Sequence, residues 1–298
     1  MTTAIGPAQG EHRLFDYSPL PSHPELIWPG KARLALPIVV HFECMDFDAA
    51  PDAVRDPRWR ERIQPDPRHY SWYEYGNRVA IFRILDILDR LGLTATIAAN
   101  ALACERYPYL VERFLKRGYE FAAHGHAANG MISSALSLDQ ERDAVGEAIR
   151  RIETSTNARV AGWIAQDFGE STHTPQVLRD AGLTYVADWP NDDQPYLMTG
   201  AGGLVSIPAA FEWDDMRLFM ERRMQAWRYP EIVGDAFRRL YAEGETHPGV
   251  LPISIHPWVF GAPHRVRYLE ETLKAIVSQG SVWNATTGQI ANCFLDQQ

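Results

Sequence analysis

The sequence is poor in cysteine, in positive charge and in long apolar runs, and each shortage excludes a class of protein. Its 3 cysteines are far apart and form no Cys-x-x-Cys pair, so neither a disulfide framework nor a thiolate zinc site is predicted, and a reducing compartment fits best. A formal net charge of −9 argues against nucleic acid or an anionic membrane as partner. No apolar run approaches the roughly 20 residues of a membrane span, and residues 1–10 lack a signal-peptide pattern, so we expect a cytoplasmic protein.

The composition that remains is globular, with 46% hydrophobic and 22% charged residues among 298. At about 150 residues per domain two domains would fit, but single α/β barrels run to about 250 residues. Residues 1–31 are rich in proline without periodicity, which predicts an irregular N-terminal arm. Residues 32–298 are predicted to form one barrel domain. It includes a long proline-rich loop, residues 47–72, of the kind that serves as a lid, a binding loop or an oligomer contact.

Short apolar runs alternate with amphipathic segments along the rest of the chain, and this alternation predicts strands separated by helices. The predicted strands are 34–40, 93–99, 119–123, 159–162, 183–187, 204–207, 250–255 and 281–283. The predicted helices are 75–91, 104–117, 138–153, 174–180, 229–243, 266–279 and 287–294. Strands connected through helices pair in parallel with right-handed crossovers, so the sequence predicts an α/β fold closed into a barrel related to the (β/α)₈ fold.

Ionisable side chains follow several predicted strands directly, and three of them stand out. Glu43, His124 and His256 each come at the end of a buried-type run, and in barrels of this kind the chemistry lies at the carboxyl ends of the strands. A single histidine at a strand end is more often a hydrogen-bonded structural residue, and aspartates after strands are common turn formers. The coincidence of three such ends predicts a reactive site. Trp163 and Trp258, also at strand ends, could line a pocket for a ring-shaped ligand.

The order of motifs at these strand ends resembles a known family. Phe-Glu-Cys at 42–44, Glu-Phe-Ala-Ala-His-Gly-His at 120–126, Gly-Trp at 162–163, Ala-Asp-Trp at 187–189 and Ile-Ser-Ile-His at 253–256 resemble the polysaccharide deacetylase (NodB-homology) superfamily over about residues 32–294. The resemblance implies a distorted (β/α)₇ TIM-like barrel. Three further motifs, at 71–78, 191–196 and 214–217, resemble the branch that contains the cofactor-independent bacterial allantoinase and cyclic imide hydrolases.

The sequence departs from the family pattern at the metal ligands. The family carries two adjacent aspartates after the first strand, where this chain has Glu43 and Cys44, and a His-x-x-x-His pair, of which only His124 is present because the fifth position is Ala128. The resemblance therefore implies that two of three metal ligands are missing, and a catalytic zinc normally has three. Two alternatives stay open, a site without metal and a divalent-metal site, such as zinc, rebuilt from His124, Asp46 and His126.

We expect the protein to hydrolyse a C–N bond in a small cyclic amide or imide. Glu43 matches the family's base position, and we expect partial burial to raise its pKa towards a useful value. His256 is the expected acid or oxyanion donor, and His124 would position water or substrate, or bind a metal if one is present. The residues predicted to contact substrate are Tyr73, Glu74, Arg78, Trp163, Asp192, Asp193, Glu212 and Trp258. An ordinary ion pair between Glu74 and Arg78 at helix spacing is the alternative for those two.

Two other functions compete with this hypothesis. The first is a metal-dependent N-deacetylase of amino sugars, because a pocket lined by tryptophans would also bind a sugar ring. The second is a catalytically silent barrel that binds or assembles, which the missing ligands suggest and the joint presence of Glu43, His124 and His256 opposes. The expected partner is a small-molecule cyclic substrate, with neither nucleic acid nor membrane, and the resemblance implies a homo-oligomer, a dimer or tetramer.

Overall fold

A curled sheet forms the centre of the protein in the computed structural model, which describes residues 12–48 and 65–298. Its strands are β1 Leu34–Leu36, β2 Ile38–Phe42, β3 Thr96–Ala99, β4 Glu120–Ala123, β5 Gly162–Trp163, β6 Tyr185–Val186, β7 Tyr196–Met198, β8 Leu204–Ser206, β9 Gly249–Val250, β10 Ile253–Ile255 and β11 Val282–Asn284. Eight of them follow the order β10-β2-β3-β4-β5-β6-β8-β7, and a second sheet has the order β11-β1-β9. All described pairs are parallel except β7 with β8.

Helices connect the strands and cover one face of the sheet. They are α1 Pro67–Tyr75, α2 Ile81–Leu91, α3 Ala101–Arg106, α4 Pro108–Leu115, α5 Leu138–Thr156, α6 Thr174–Asp180, α7 Tyr229–Glu243, α8 Pro257–Phe260, α9 Val266–Val277 and α10 Thr287–Leu295, with a π-turn at Gly76–Ala80 joining α1 to α2. The predicted α/β barrel-like fold is confirmed. Among the described helices, none is long and apolar enough to cross a membrane.

Two prolines divide strands that the sequence predicts as continuous. Pro37 lies between β1 and β2, and Pro252 lies between β9 and β10. Proline has no backbone N–H and cannot donate to a strand ladder, so each strand changes neighbours at its proline. The Pro37 carbonyl still accepts a hydrogen bond from Ile253 N–H at 2.9 Å. The chain thereby passes from the smaller sheet into the larger one, and β2 and β10 remain adjacent.

Alternation along β2 separates the barrel interior from the helix-covered face. Val40 and Phe42 pack in the core cluster that contains the helix residues. Val39 belongs to a second cluster, on the opposite face, together with Leu26 and Trp28 from the N-terminal segment and apolar residues of α10. His41, two residues after Val39, therefore points into the barrel, and so does Glu43 beyond the strand end.

Helix ends agree with their sequence signals, with one correction. Ser137 forms the predicted N-cap of α5, and α2 ends before Gly92, whose φ of 65° favours glycine. Helix α1, however, begins at Pro67 instead of residue 75, because Asp66 accepts hydrogen bonds from the first-turn N–H groups and proline suits that turn. The predicted loop 47–72 is therefore helical at its end, and its residues 49–64 lie outside the described part of the chain.

The antiparallel strand β7 is an element that the sequence did not predict. Residues 188–196 read as a loop, and the Tyr-Leu-Met run that forms β7 is short and only partly buried. Its register pairs Leu197 with Val205 at the edge of the larger sheet. Side-chain periodicity is weak over three residues, so tertiary contact determines this strand.

Glycine at position 162 is required by a close approach, and this generates a stability prediction. A Cβ there would lie 1.9 Å from Cζ of Tyr185, whose ring covers the glycine. We expect Gly162→Ala to lower the free energy of unfolding by about 1–3 kcal/mol through overpacking. Gly146→Ala, in an open position of α5, is the matched control and should raise it by about 0.5–1 kcal/mol. Urea denaturation measures both, and equal effects of the two substitutions would contradict the packing argument.

Candidate active site

Three of the predicted reactive side chains come together at the carboxyl ends of the central strands. β2 and β10 are neighbours in parallel register, with Val40 opposite Ile255. The inward-facing residues that follow, Glu43 and His256, therefore lie side by side. His124 follows β4 at the same end of the sheet, and all three side chains are buried. The sequence prediction that these strand ends share one site agrees with this arrangement.

Glu43 is held on both of its carboxylate oxygens. Oε1 accepts a hydrogen bond from Nε2 of Gln166 at 2.7 Å, and Oε2 accepts one from Nε1 of Trp258 at 2.9 Å. Nε2 of His124 lies 3.6 Å from Oε1. The Glu43 backbone carbonyl accepts a hydrogen bond from Asn77 on the π-turn. Contacts from four separate segments thus hold Glu43, three of them at its carboxylate.

The ionisation of Glu43 differs from the sequence-based expectation. Burial raises its pKa, but the charge on His256 and the hydrogen bonds from His124 and Gln166 outweigh burial and hold the pKa at about 2. The expectation of a pKa raised by partial burial is therefore wrong. Its neighbours keep this carboxylate ionised at neutral pH.

His256 is the cationic partner in the site. Its Nδ1 donates to Oδ1 of Asp215 at 2.6 Å, and its backbone N–H donates to Oδ2 of the same carboxylate at 2.9 Å. Burial lowers the pKa of His256, but Asp215, Asp214 and Glu43 outweigh burial and raise it to about 10. The ring stacks on His41 with centroids 3.8 Å apart and an angle of 9°. His256 is therefore an oriented imidazolium at neutral pH.

A line of buried hydrogen bonds runs beneath this pair. Nδ1 of His124 contacts the Ile164 carbonyl, and its Nε2 lies 3.2 Å from Nδ1 of His41. Nε2 of His41 lies 2.8 Å from Oγ of Ser254, which donates to Oδ2 of Asp214 at 2.7 Å. These hydrogen bonds connect His124, at the end of β4, with Asp214, in the segment after β8, through the barrel interior.

The arrangement provides an acid and a base next to each other. Glu43 is an anion that can accept a proton, and His256 is a cation that can donate one. Ligating atoms of the two side chains lie within 4.8 Å of each other. Because the surroundings exclude water, charges in this pair act more strongly on a bound polar group than they would in bulk water.

Distance alone would allow a metal among these groups. The ligand atoms of His41, Glu43 and His256, and those of Asp214, Asp215 and His256, lie within 4.8 Å of one another in the described part of the chain. Each oxygen of Glu43 keeps a second lone pair, but both nitrogens of His41 already form hydrogen bonds, so His41 would have to give up one of them to bind a metal. His256 is protonated, and Asp215 is bound to it through both oxygens. The donors present do not fit a metal.

The predicted rebuilt metal site is not assembled either. His126 is exposed and its Nδ1 contacts Arg151 at 2.8 Å, while its Nε2 lies 3.8 Å from Asp46. His124 is buried and directed towards Glu43. Among the described residues, His124, Asp46 and His126 form no group whose ligand atoms are close enough to share an ion. His126 leaves the strand end in a different direction because Gly125 has a φ of 74°.

Two of the residues predicted to contact substrate, Trp258 and Tyr73, lie beside Glu43. Trp258 is buried and donates to Oε2 of Glu43. Tyr73 of α1 is buried and stacks on Trp258, with ring centroids 4.5 Å apart. Trp72 packs edge-on against the same indole at 4.9 Å. These aromatic contacts hold the indole N–H in place on the carboxylate.

Other predicted contact residues lie at the protein surface. Arg78 is exposed on the π-turn and forms no ion pair with Glu74 among the described residues, so the helix-spacing alternative is not seen. Glu212 is exposed, and its carboxylate pairs with Nη2 of Arg222 at 2.8 Å. A role in substrate binding stays a prediction for Glu74 and Arg78. The contact of Glu212 accounts for its position without a ligand.

The remaining three predicted contacts face other parts of the molecule. Trp163 packs in the cluster between the sheet and its helices. Asp192 lies 3.5 Å from Nε2 of His23 in the N-terminal segment. The Asp193 carbonyl accepts a hydrogen bond from Val250 N–H in β9 at 2.9 Å. The loop after β6 therefore joins the arm and the smaller sheet rather than Glu43.

The sequence analysis did not identify the residues that hold Glu43 and His256 in place. His41 and Ser254 stand two positions before Glu43 and His256, so strand alternation alone could have placed them on the inward face. Asp215 lies in the motif at residues 214–217, to which the sequence alone assigns no role. Gln166 had no signal, because the turn that presents it contains left-handed Asp167 and Phe168, which periodicity does not predict.

The sequence is similar to known deacetylases. The family model described as polysaccharide deacetylase matches residues 62–186. A protein of Schizosaccharomyces pombe named as a polysaccharide deacetylase is 28% identical over 242 residues, 75% of each chain. A peptidoglycan deacetylase of Helicobacter pylori is 24% identical over 254 residues, 74% of this chain and 85% of that one.

Solved structures share the whole architecture. The allantoinase PuuE is similar with a TM-score of 0.83 and 27% identity, covering 95% of this chain and 99% of that one. A probable polysaccharide deacetylase of Pseudomonas aeruginosa PAO1 has a TM-score of 0.81 and 27% identity, covering 91% and 94%. The predicted resemblance to this superfamily is confirmed.

The contact between His256 and Asp215 generates a prediction about pH. The raised pKa of His256 stabilises the folded state fully below about pH 6.5, and this contribution is lost as the pH rises through about 10. We expect Asp215→Asn to lower the pKa of His256 by about 1–3 pH units, since the compensating charge is removed. NMR titration of the imidazole measures it, with the exposed Asp235→Asn as control. An unchanged titration in Asp215→Asn would contradict the assignment.

Proposed function

Because the chain carries a polysaccharide deacetylase domain, we propose that it is a hydrolase of C–N bonds that opens a small cyclic amide or imide. One observation carries the proposal, the buried pair of an ionised Glu43 and a protonated His256 at the carboxyl ends of adjacent strands. Hydrolysis of an amide needs a base for water and an acid for the leaving nitrogen. The similarity to an allantoinase over 95% of the chain supports a cyclic substrate.

The family's two other metal-ligand positions support chemistry without a metal. Burial raises the pKa of the Cys44 thiol to about 12, so this residue is a neutral thiol at neutral pH. Ala128 has no ligating group, and its N–H donates to the Cys44 carbonyl at 2.8 Å. This backbone hydrogen bond is the contact between the two positions. The chain's own acid and base therefore have to carry the reaction in this proposal.

The proposed reaction couples two proton transfers. Water attacks the ring carbonyl, and its proton passes to Glu43 as the new C–O bond forms. The C–N bond then breaks, and His256 donates its proton to the departing nitrogen. Once His256 has given up its proton at C–N cleavage, the charge that depressed the pKa of Glu43 is gone, so Glu43 can keep the proton taken from water until His256 recovers it. The proton on Glu43 returns to His256, and the site is restored.

Imides suit such a site better than ordinary amides. The negative charge that develops on an imide nitrogen is delocalised onto the second carbonyl, so less electrophilic assistance is needed at the attacked carbonyl. The imidazolium of His256 can also stabilise the developing oxyanion before it donates its proton. A metal-free acid–base pair is therefore chemically sufficient for this leaving group. Cytoplasmic location and a homo-oligomeric state stay predictions.

The alternative is an N-deacetylase of amino sugars, favoured by the similarity to a peptidoglycan deacetylase. The two functions differ in what the site must supply. Release of an acetyl group from an amino sugar leaves a poor amine leaving group without delocalisation, and the family's metal assists that reaction. The hydrogen-bonded donors of this site do not fit that metal, so we propose the cyclic substrate.

A substrate panel with a Glu43 variant tests the proposal. We expect hydrolysis of at least one of allantoin, succinimide, maleimide, glutarimide and hydantoins, and none of acetylated amino sugars. Glu43→Gln should lower kcat about 10²–10⁴-fold, the usual contribution of a general base. Glu147→Gln, an exposed residue of α5 paired with Arg150, should leave kcat unchanged.

Product detection by chromatography separates the possibilities. Activity on the acetylated sugars alone would reject the cyclic-substrate proposal and favour a deacetylase. Full activity of Glu43→Gln would reject Glu43 as the base whatever the substrate.

A further inference from the structure

The amide of Gln166 has a fixed orientation, because backbone groups determine the direction of the hydrogen bonds that reach it. Asn100, buried at the end of β3, accepts the Cys44 N–H on Oδ1 at 3.2 Å and donates from Nδ2 to the His124 carbonyl at 2.5 Å. A backbone N–H only donates and a backbone carbonyl only accepts, so no titratable group is needed to orient this amide. Nδ2 of Asn100 also donates to Oε1 of Gln166 at 3.4 Å. Gln166 therefore turns its Nε2 towards Glu43.

The backbone that carries Gln166 is also held on both sides. The Ala165 N–H donates to Oδ1 of Asp188 at 2.8 Å, and the Gly169 N–H donates to the Gln166 carbonyl at 3.0 Å. The two residues that follow Gln166 have φ values of 54° and 56°, in the left-handed region that is costly for residues with a side chain. Such a conformation persists only where surrounding contacts impose it. The position of the Gln166 side chain is thus determined before a substrate binds.

One N–H donor beside the carboxylate of Glu43 is not used by the protein. A glutamine amide has two N–H bonds, and Oε1 of Glu43 accepts one of them at 2.7 Å. The second has no acceptor among the residues that the structure describes, although Gln166 is only 8% exposed. Trp258 has a single N–H, and Oε2 of Glu43 accepts it at 2.9 Å. Buried donors are normally satisfied, so the second N–H of Gln166 calls for an acceptor from outside the protein.

The proposed reaction needs a donor in addition to His256. Nδ1 of His256 donates to Asp215 at 2.6 Å, which leaves the ring one N–H, at Nε2, for the substrate. In the proposed reaction this proton passes to the departing nitrogen. The carbonyl oxygen becomes an oxyanion when water attacks, and it requires a donor that keeps its own proton throughout. A carboxamide N–H meets this requirement, because it is not acidic at neutral pH.

We propose that Gln166 is a further catalytic residue, whose second N–H donates a hydrogen bond to the attacked carbonyl oxygen while its first N–H holds Glu43. The inference rests on the proposed function and deepens it, since it assigns the oxyanion donor of that reaction. No bond to Gln166 forms or breaks, because Glu43 takes the proton of water and His256 supplies the proton of the nitrogen. One rigid amide thereby sets the distance between the base and the carbonyl group that is attacked.

Single variants of the full-length protein, assayed on the best carbonyl substrate of the panel, test the assignment. Gln166→Met, with Gln166→Leu as a second variant, should lower kcat about 10²–10³-fold and change KM less than about threefold, as expected when an oxyanion donor is lost. Trp258→Phe removes a donor to Glu43 alone and should lower kcat about tenfold. Gln176→Met, at an exposed position of α6 where the amide donates to Asp180, should leave kcat unchanged. Urea denaturation confirms that each variant is folded.

A change of the reacting atom separates the two roles of Gln166. Sulfur accepts hydrogen bonds more weakly than oxygen, so an enzyme with an oxyanion donor prefers the carbonyl substrate to the same ring with thiocarbonyl groups. Each rate is divided by the rate of hydrolysis by hydroxide, which removes the intrinsic difference between the two rings. This preference should fall at least about tenfold in Gln166→Met and persist in Trp258→Phe.

The outcomes distinguish the inference from the proposed function. An unchanged preference in both Gln166 variants, or an equal loss of kcat in Gln166→Met and Trp258→Phe, would overturn the inference even if cyclic substrates are hydrolysed. If only acetylated amino sugars are hydrolysed, the proposed function is rejected, and the same comparison of an acetyl with a thioacetyl amide decides the role of Gln166 separately. Hydrolysis of neither class would overturn both.

Discussion

The ionised carboxylate of Glu43 is the constraint on which the rest of the site depends. Burying a charge without compensation costs several kcal/mol, and the group would otherwise take up a proton. Here a cation, two neutral donors and a further histidine surround it, and they more than offset burial. Removing any one of them would leave part of that cost uncompensated, so Gln166, Trp258 and His256 are best understood as parts of one unit.

The fold brings these partners together through the register of its parallel strands and through the prolines that divide two of them. Pro37 and Pro252 each end one short strand and begin another, which leaves β2 and β10 adjacent with Glu43 and His256 beyond their ends. The aromatic residues of α1 then hold Trp258 on the carboxylate. Packing of apolar rings thereby fixes the geometry of a polar site.

The strand ends that carry Glu43, His124 and His256 could be predicted, because apolar runs are plain in the sequence and parallel strands present their carboxyl ends at one edge. The residues that form hydrogen bonds with them could not be predicted. Gln166 depends on a turn with two left-handed residues, and Asp215 on a loop whose path periodicity does not describe. Periodicity does not describe the path of the loop that carries Asp192 and Asp193 towards the arm and β9 either, and a role of these two residues in substrate binding stays a prediction. The pKa of Glu43 was missed because it depends on those unseen partners.

The acid–base pair is sufficient for the proposed reaction, since His41 is engaged through both nitrogens and His256 is protonated, so neither is a free donor for a metal. The most direct test is the rate of cyclic imide hydrolysis by protein exhaustively dialysed against a chelator, with its metal content measured in the same sample. We predict an undiminished rate in metal-depleted protein and no increase on adding zinc. A rate that disappears on chelation and returns in proportion to bound zinc, reaching its maximum at a full equivalent, would contradict the account.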